Sequence, residues 1–205
     1  KFLSLNKNFI WTQDFIYENT DYLDFTFLSS NIGLPWTIHL VERYKKRWVW
    51  DILCEYQNFW NVEYLWKFKD NIHIGVLSGN NNIKWDDDLI NNLDNFNWDF
   101  RELSKSKVFP WSIDLLKKYK EKCDWVQLSC NQYLIWDEEL LNEFSGDLVW
   151  SLICEKSTIK WTISLINKHS EKLSSSENIW NTLKPYIDDE MVIELLEEIK
   201  NKSNG

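Results

Sequence analysis

The sequence predicts an all-α fold, an α-solenoid of two-helix repeats about 25 residues long. Three observations predict it. Seven tryptophans (Trp11, Trp36, Trp60, Trp85, Trp111, Trp136 and Trp161) recur at intervals of 25, 24, 25, 26, 25 and 25 residues. The residue after each is Thr12, Thr37, Asn61, Asp86, Ser112, Asp137 or Thr162, all side chains that cap helix N-termini. A second apolar anchor follows 14 or 15 residues after each of the first six: Phe25, Trp50, Ile74, Phe100, Trp125 and Trp150. Self-similarity at such a period is the mark of a stacked array.

The elements follow in order. Leu3-Ser4-Leu5-Asn6 reads as the close of a second helix whose beginning is absent, so 1–10 is the end of a preceding repeat and a longer native chain is expected. With the seven polar residues as N-caps, each tryptophan sits one residue before the cap. The fourth helical position is then Ile16, Val41, Leu65, Ile90, Leu116, Leu141 or Ile166. An apolar residue before the cap packing on one at the fourth position is a hydrophobic staple. The third position is apolar as well: Phe15, Leu40, Tyr64, Leu89, Leu115, Leu140 and Leu165. Four residues later stand Tyr44, Phe68, Leu93, Tyr119 and Phe144 in the middle repeats. This stripe defines helix A.

Helix B runs through the second anchor. Three residues after the anchor comes Leu28, Leu53, Leu77, Leu103, Leu128 or Ile153, then a small residue, Ser29, Cys54, Ser78, Ser104, Ser129 or Cys154. Those spacings share one helical side, and the small residue is expected to let neighbouring B helices approach. Asn31, Asn80 and Asn131 come soon after and are expected to end the helix in the left-handed conformation. Asn71 to Leu77 alternates like a strand, but the register assigns it to a connection plus helix B. The seventh repeat has its anchor at Trp180, after a loop lengthened by Ser174 to Ser176. Met191 continues the series, its helix capped by Asp188 or Asp189 and its outer face made of Glu190, Glu194, Glu197 and Glu198. Residues 1–205 thus read as a single repeat domain, with 200–205 a polar tail.

Composition sets the energetics. The chain has 14 Trp, 11 Phe and 8 Tyr but no Ala, so its helices cannot lean on intrinsic propensity. They must be held by burial of large side chains. A net charge of −9 argues against general affinity for nucleic acid or anionic membranes. No apolar run approaches the roughly 18 residues that span a bilayer, and no signal-peptide pattern is visible. Cys54, Cys123, Cys130 and Cys154 lack zinc spacings. Cys54 and Cys154 hold the same template position four repeats apart, too far to bridge. Free thiols imply a reducing compartment, cytoplasmic or virus-associated.

The segment Asp124-Trp125-Val126-Gln127-Leu128-Ser129-Cys130-Asn131, followed by Trp136, has the pattern D-W-x-x-L-S-x-N. It resembles the tryptophan-rich short repeats of large DNA viruses of protists and some AT-rich bacteria. The resemblance covers nearly the whole chain and implies a helical repeat without a particular activity. Those repeats commonly carry Pro after the Asn, which this chain lacks.

No residue constellation points to catalysis. Asp86-Asp87-Asp88 and Asp137-Glu138-Glu139 fall at caps and first turns, where negative charge complements the helix dipole. His39, His73 and His169 lie in different repeats, and no catalytic or phosphate-binding motif appears. The chain is expected to be no enzyme and to need no cofactor or metal. Basic residues gather late in helix A and beyond it: Arg43, Lys45, Lys46 and Arg47; Lys67 and Lys69; Lys117, Lys118, Lys120 and Lys122. They answer the negative helix end, and stacking would align them in a basic ridge. Trp48, Trp66 and Trp98 fall off the tryptophan template and, with Tyr56 and Tyr133, are the expected contacts for a partner. The leading expectation is a non-catalytic scaffold that binds another protein, with further repeats or a further domain of the native chain as other partners. One alternative is an acidic decoy for a basic protein site; the other is nucleic-acid binding along the ridge.

Overall fold

The computed structural model describes residues 3–154 and 159–173, together with 183, 184, 187, 189, 190, 192 and 193. Among these residues the chain is helical, with no strand. Trp180, Asp188, Met191, the Ser174 to Ser176 loop, Glu194, Glu197, Glu198 and the 200–205 tail lie outside the described residues.

The first helix of each repeat is α1 (Gln13–Glu18), α3 (Ile38–Arg43), α5 (Val62–Lys67), α7 (Asp87–Asn91), α9 (Ile113–Lys118), α11 (Glu138–Glu143) and α13 (Ile163–Lys168). The second helices are α2 (Phe25–Ser29), α4 (Trp50–Tyr56), α6 (Ile74–Ser78), α8 (Phe100–Lys105), α10 (Trp125–Cys130) and α12 (Trp150–Cys154). Each second helix begins on its apolar anchor. The 71–77 alternation ends in α6, as the register requires. A further helix, α14 (Ser170–Leu173), follows α13.

All seven expected caps form. Thr12, Thr37, Asn61, Asp86, Ser112, Asp137 and Thr162 each accept a hydrogen bond from the backbone N–H three residues on. Such a cap contributes about 1 kcal/mol, which matters because helices this short do not persist alone. The fourth-position residues are buried, except Ile90, which is half-buried. Trp11, Trp60, Trp136 and Trp161 are buried, whereas Trp36, Trp85 and Trp111 are half-buried. Tyr44, Phe68, Tyr119 and Phe144 are buried at the helix A C-caps, and His169 occupies the same place in the seventh repeat. Four residues after each, the backbone N–H of Trp48, Ile72, Cys123, Leu148 or Leu173 returns to the C-cap carbonyl. At Trp48, Ile72 and Leu148 this turn buries an apolar side chain just before helix B, and Cys123 is half-buried there.

The chain divides into two compact units, 1–110 and 111–205. In the first, the B helices lie side by side in order, the 3₁₀ turn Leu3–Leu5 against α2, α2 against α4, α4 against α6 and α6 against α8. In the second, α10 packs on α12, and α14 packs on both α12 and α13. Leu116, Leu128, Trp136, Phe144, Ile153 and Trp161 belong to its core.

Within each unit, serine hydroxyls link successive B helices. The Ser29 hydroxyl donates to the Phe25 carbonyl at 2.7 Å and accepts the Val49 N–H of the next repeat at 3.0 Å. Ser78 does the same with Ile74 (2.7 Å) and Asp99 (2.9 Å). Ser4 accepts from Asp24 N–H and Ser129 from Val149 N–H. The small residue therefore does more than make room: it carries the hydrogen bond that joins one repeat to the next. Asn31 also departs from expectation. No non-glycine residue among those described has a positive φ; Asn31 and Asn80 are buried and turn their side chains to the preceding repeat. Asn31 Nδ2 donates to the Ser4 carbonyl at 2.9 Å, and Asn80 Nδ2 to the Cys54 and Gln57 carbonyls at 2.7 and 2.8 Å. A buried carbonyl must be paired, and these lie at the ends of short helices, where no intrahelical donor remains. Successive loops come close enough that a Cβ on Gly33 would stand 2.7 Å from the Lys7 carbonyl oxygen.

Candidate functional site

Of the three tryptophans set aside as contacts, two belong to the core. Trp48 and Trp98 are each 5% exposed. Trp48 packs against Phe25, Trp36 and Tyr44, and its indole N–H donates to the Val41 carbonyl at 3.1 Å. Trp98 packs on Trp85 with centroids 5.0 Å apart. Both lie two residues before a helix B anchor, in the series Leu23, Trp48, Ile72, Trp98, Cys123 and Leu148. That series repeats with the same period as the tryptophans, so the sequence contained the signal. Trp48 and Trp98 are template positions filled by large residues, and their burial withdraws them from any contact surface.

Trp66 differs. It sits on α5, is 47% exposed, and is the one exposed tryptophan among the described residues. Its ring lies 4.9 Å from that of Phe96, contributed by the next repeat. Phe96 carries no sequence signal, because only stacking brings residues 30 apart together. Lys67 and Lys69 are neighbours of Trp66 in sequence. Tyr56, 44% exposed, ends α4 beside Glu55, whose hydrogen bond raises the phenol pKa. Tyr133 is 49% exposed in the second unit.

The basic residues are largely engaged. Arg47 lies over the Phe25 ring at 4.2 Å and 4.0 Å from Asp21; Arg43 covers Tyr17 at 4.2 Å. Lys67 pairs with Glu42 at 3.5 Å, Lys117 with Glu143 at 3.3 Å and Lys120 with Asp147 at 2.8 Å. The Asp147 hydrogen bond raises the Lys120 pKa. Lys118 and Lys122 stand over Tyr119. The four carboxylate contacts each join adjacent repeats, and such solvent-exposed pairs add little to stability. Arg43, Lys45, Lys46 and Arg47 line a shallow hollow beside Glu42, and Lys69 is exposed.

All four cysteines are free thiols. Burial pushes the Cys54 thiol up to about 12, against the opposing pull of the His73 backbone N–H, so sulfur here replaces a serine hydroxyl in the link between successive B helices. Burial alone pushes Cys123 up to about 12. His73 contacts Asp51 on the surface. His169 stacks on Trp150 with centroids 4.6 Å apart and bonds Asn142 at 2.9 Å. Burial, then Lys168 and Lys172, lower its pKa. Among the described residues, no three His, Cys, Asp or Glu side chains group to hold a metal ion, and no helix is long and apolar enough to cross a membrane. No family model, curated protein or solved structure matches the chain.

Proposed function

We propose that the chain is a single two-helix α-solenoid acting as a non-catalytic scaffold, and that it binds another protein through Trp66 and Phe96. The exposure of Trp66 carries this reading. A chain that buries or half-buries every other described tryptophan leaves one on its surface, propped by a ring from the adjacent repeat. Aromatic anchors of this kind supply much of the energy of protein interfaces. Solenoids use their extended surfaces for such binding, and the likeness to viral and bacterial tryptophan-rich repeats accords with a scaffold role. Tyr56 and Tyr133 are secondary contacts. Four free thiols suit a reducing compartment.

The test is quantitative affinity capture from the native source with wild type and Trp66→Ala side by side. Captured partners should be lost with Trp66→Ala while circular dichroism and the unfolding midpoint stay unchanged. Equal capture by both proteins would reject Trp66 as the anchor. The acidic-decoy alternative draws on the −9 charge and differs in its salt response, since charge-driven binding weakens steeply with ionic strength. Nucleic-acid binding along the ridge draws less support, because most ridge cations already face a carboxylate or an aromatic ring. A gel shift at low salt decides it.

A further inference from the structure

Four of the chain's 23 basic residues fall within five positions: Arg43, Lys45, Lys46 and Arg47. They line a hollow of about 280 Å³ at the turn after α3. That lies at the bottom of the size range of ligand clefts, about 300–1,000 Å³, and suits one small ionic group. The turn itself is pinned. The Arg47 N–H donates to the Tyr44 carbonyl at 2.7 Å, and the Trp50 indole donates to the Lys45 carbonyl at 3.0 Å. The Tyr44 hydroxyl lies 2.6 Å from that of Thr20.

Rings, rather than acids, hold the two arginines. Arg43 lies 4.2 Å from the Tyr17 ring centroid, and Arg47 lies 4.2 Å from that of Phe25. A ring covers one face of a guanidinium and leaves its in-plane N–H groups, the ones that grip an oxyanion, unused. The nearby carboxylates do not take them up. Asp21 stands 4.0 Å from Arg47, beyond hydrogen-bond length, and Glu42 pairs with Lys67 of the next repeat. The Lys45 and Lys46 ammonium groups have no acidic or aromatic partner among the described residues. Elsewhere Lys67, Lys117 and Lys120 each reach a carboxylate of a neighbouring repeat.

We propose that this hollow binds a phosphate monoester, with the two guanidinium and two ammonium groups gripping its dianion. Confinement to one turn decides the class. A nucleic-acid backbone needs cations repeated along its track; here Asp21 and Glu42 flank the cluster and Lys67 is already paired. A monoester gathers close to two charges on three oxygens, which a single cluster meets with short charge-assisted bonds. Such a group comes from a phosphorylated side chain or from a small free phosphate. The hollow takes it whether or not Trp66 anchors a protein.

The experiment follows arginine side-chain N–H resonances of the full chain in NMR titrations at fixed ionic strength. The probes are inorganic phosphate, a Gly-Gly-phosphoserine-Gly-Gly peptide and its unphosphorylated form. Arg43 and Arg47 should shift saturably with both phosphate probes and not with the unphosphorylated peptide. Tighter binding of the phosphopeptide supports the site with a phosphorylated protein as source; equal binding supports it with a small phosphate. Arg47→Gln should weaken binding about tenfold. The paired change Lys45→Gln and Lys46→Gln should weaken it by a similar factor at an unchanged unfolding midpoint. Lys69→Gln, at an exposed lysine of the next repeat, should change nothing. Lack of saturation, shifts reproduced by sodium chloride, or full affinity in the paired lysine variant would overturn the proposal. So would tighter binding of a dodecathymidine strand than of the phosphopeptide, which would make the cluster part of a nucleic-acid track.

Discussion

The rungs at Asn80 and Gln57 join neighbouring repeats by the same device, yet only one is fully satisfied. Asn80 lies six residues after its helix B anchor, Ile74, and five before Trp85; Gln57 lies seven after Trp50 and only three before Trp60. Each residue added to a helix turns the side chain by about 100°. Gln57 accordingly begins from a different bearing, its N–H returning to Leu53 four residues back, while that of Asn80 returns to Leu77 three back. The longer glutamine still reaches the preceding repeat, donating to the Ser29 carbonyl at 2.7 Å. The shortened loop leaves its other end unserved: Gln57 Oε1 is buried without a hydrogen-bond partner, whereas Asn80 Oδ1 accepts the Asn82 N–H at 2.7 Å. A change in loop length is thus absorbed by one methylene of side chain and one unpaired acceptor. Register between repeats is held more firmly than the length of any one of them.

A core deletion gives the scale for breaking that comparison. Trp136 is 1% exposed, and Trp136→Ala should cost about 3–5 kcal/mol in denaturant titration; a loss below about 1 kcal/mol would refute the staple. Asn80→Leu, which strands the Cys54 and Gln57 carbonyls, should cost about 2–3 kcal/mol. Gln57→Leu should cost about 1 kcal/mol, since it also removes an unpaired acceptor. Equal losses at the two sites would show that the unpaired Oε1 has no energetic meaning. Exchanging lengths is a finer probe. Gln57→Asn should lose its reach to Ser29 and cost about 1 kcal/mol, and Asn80→Gln about 1–3 kcal/mol by overpacking.

The smallest effect is one of pH at His169. Its folded pKa is lowered, so the unfolded chain binds the proton more tightly. Its contribution is complete above the unfolded value of about 6.5 and is lost as pH falls through the lowered folded value. Stability measured from pH 7.5 to 5 should decline, and His169→Phe, which supplies the aromatic found at Phe68 and Phe144, should flatten that decline. An identical slope in the variant would assign the pH dependence elsewhere.

The sequence by itself determined the helical class, the period, all seven N-caps and the start of each described helix B. Each of these rests on contacts within a few residues or on one repeating apolar pattern, and both can be read along a line. The burial of Trp48 and Trp98 was legible too, in the phase two residues before the anchor, once that phase is compared across repeats. What only the tertiary structure decided is how repeats hold each other. Asn31 reads locally as a helix terminator, Ser29 as a spacer and Lys67 as a helix-end charge. Their partners lie 20 to 28 residues away, and polar side chains commit to such bonds only after stacking has removed water from the carbonyls. The Trp66–Phe96 pair has the same origin. It exists because two repeats lie side by side, and a single chain position cannot announce its neighbour.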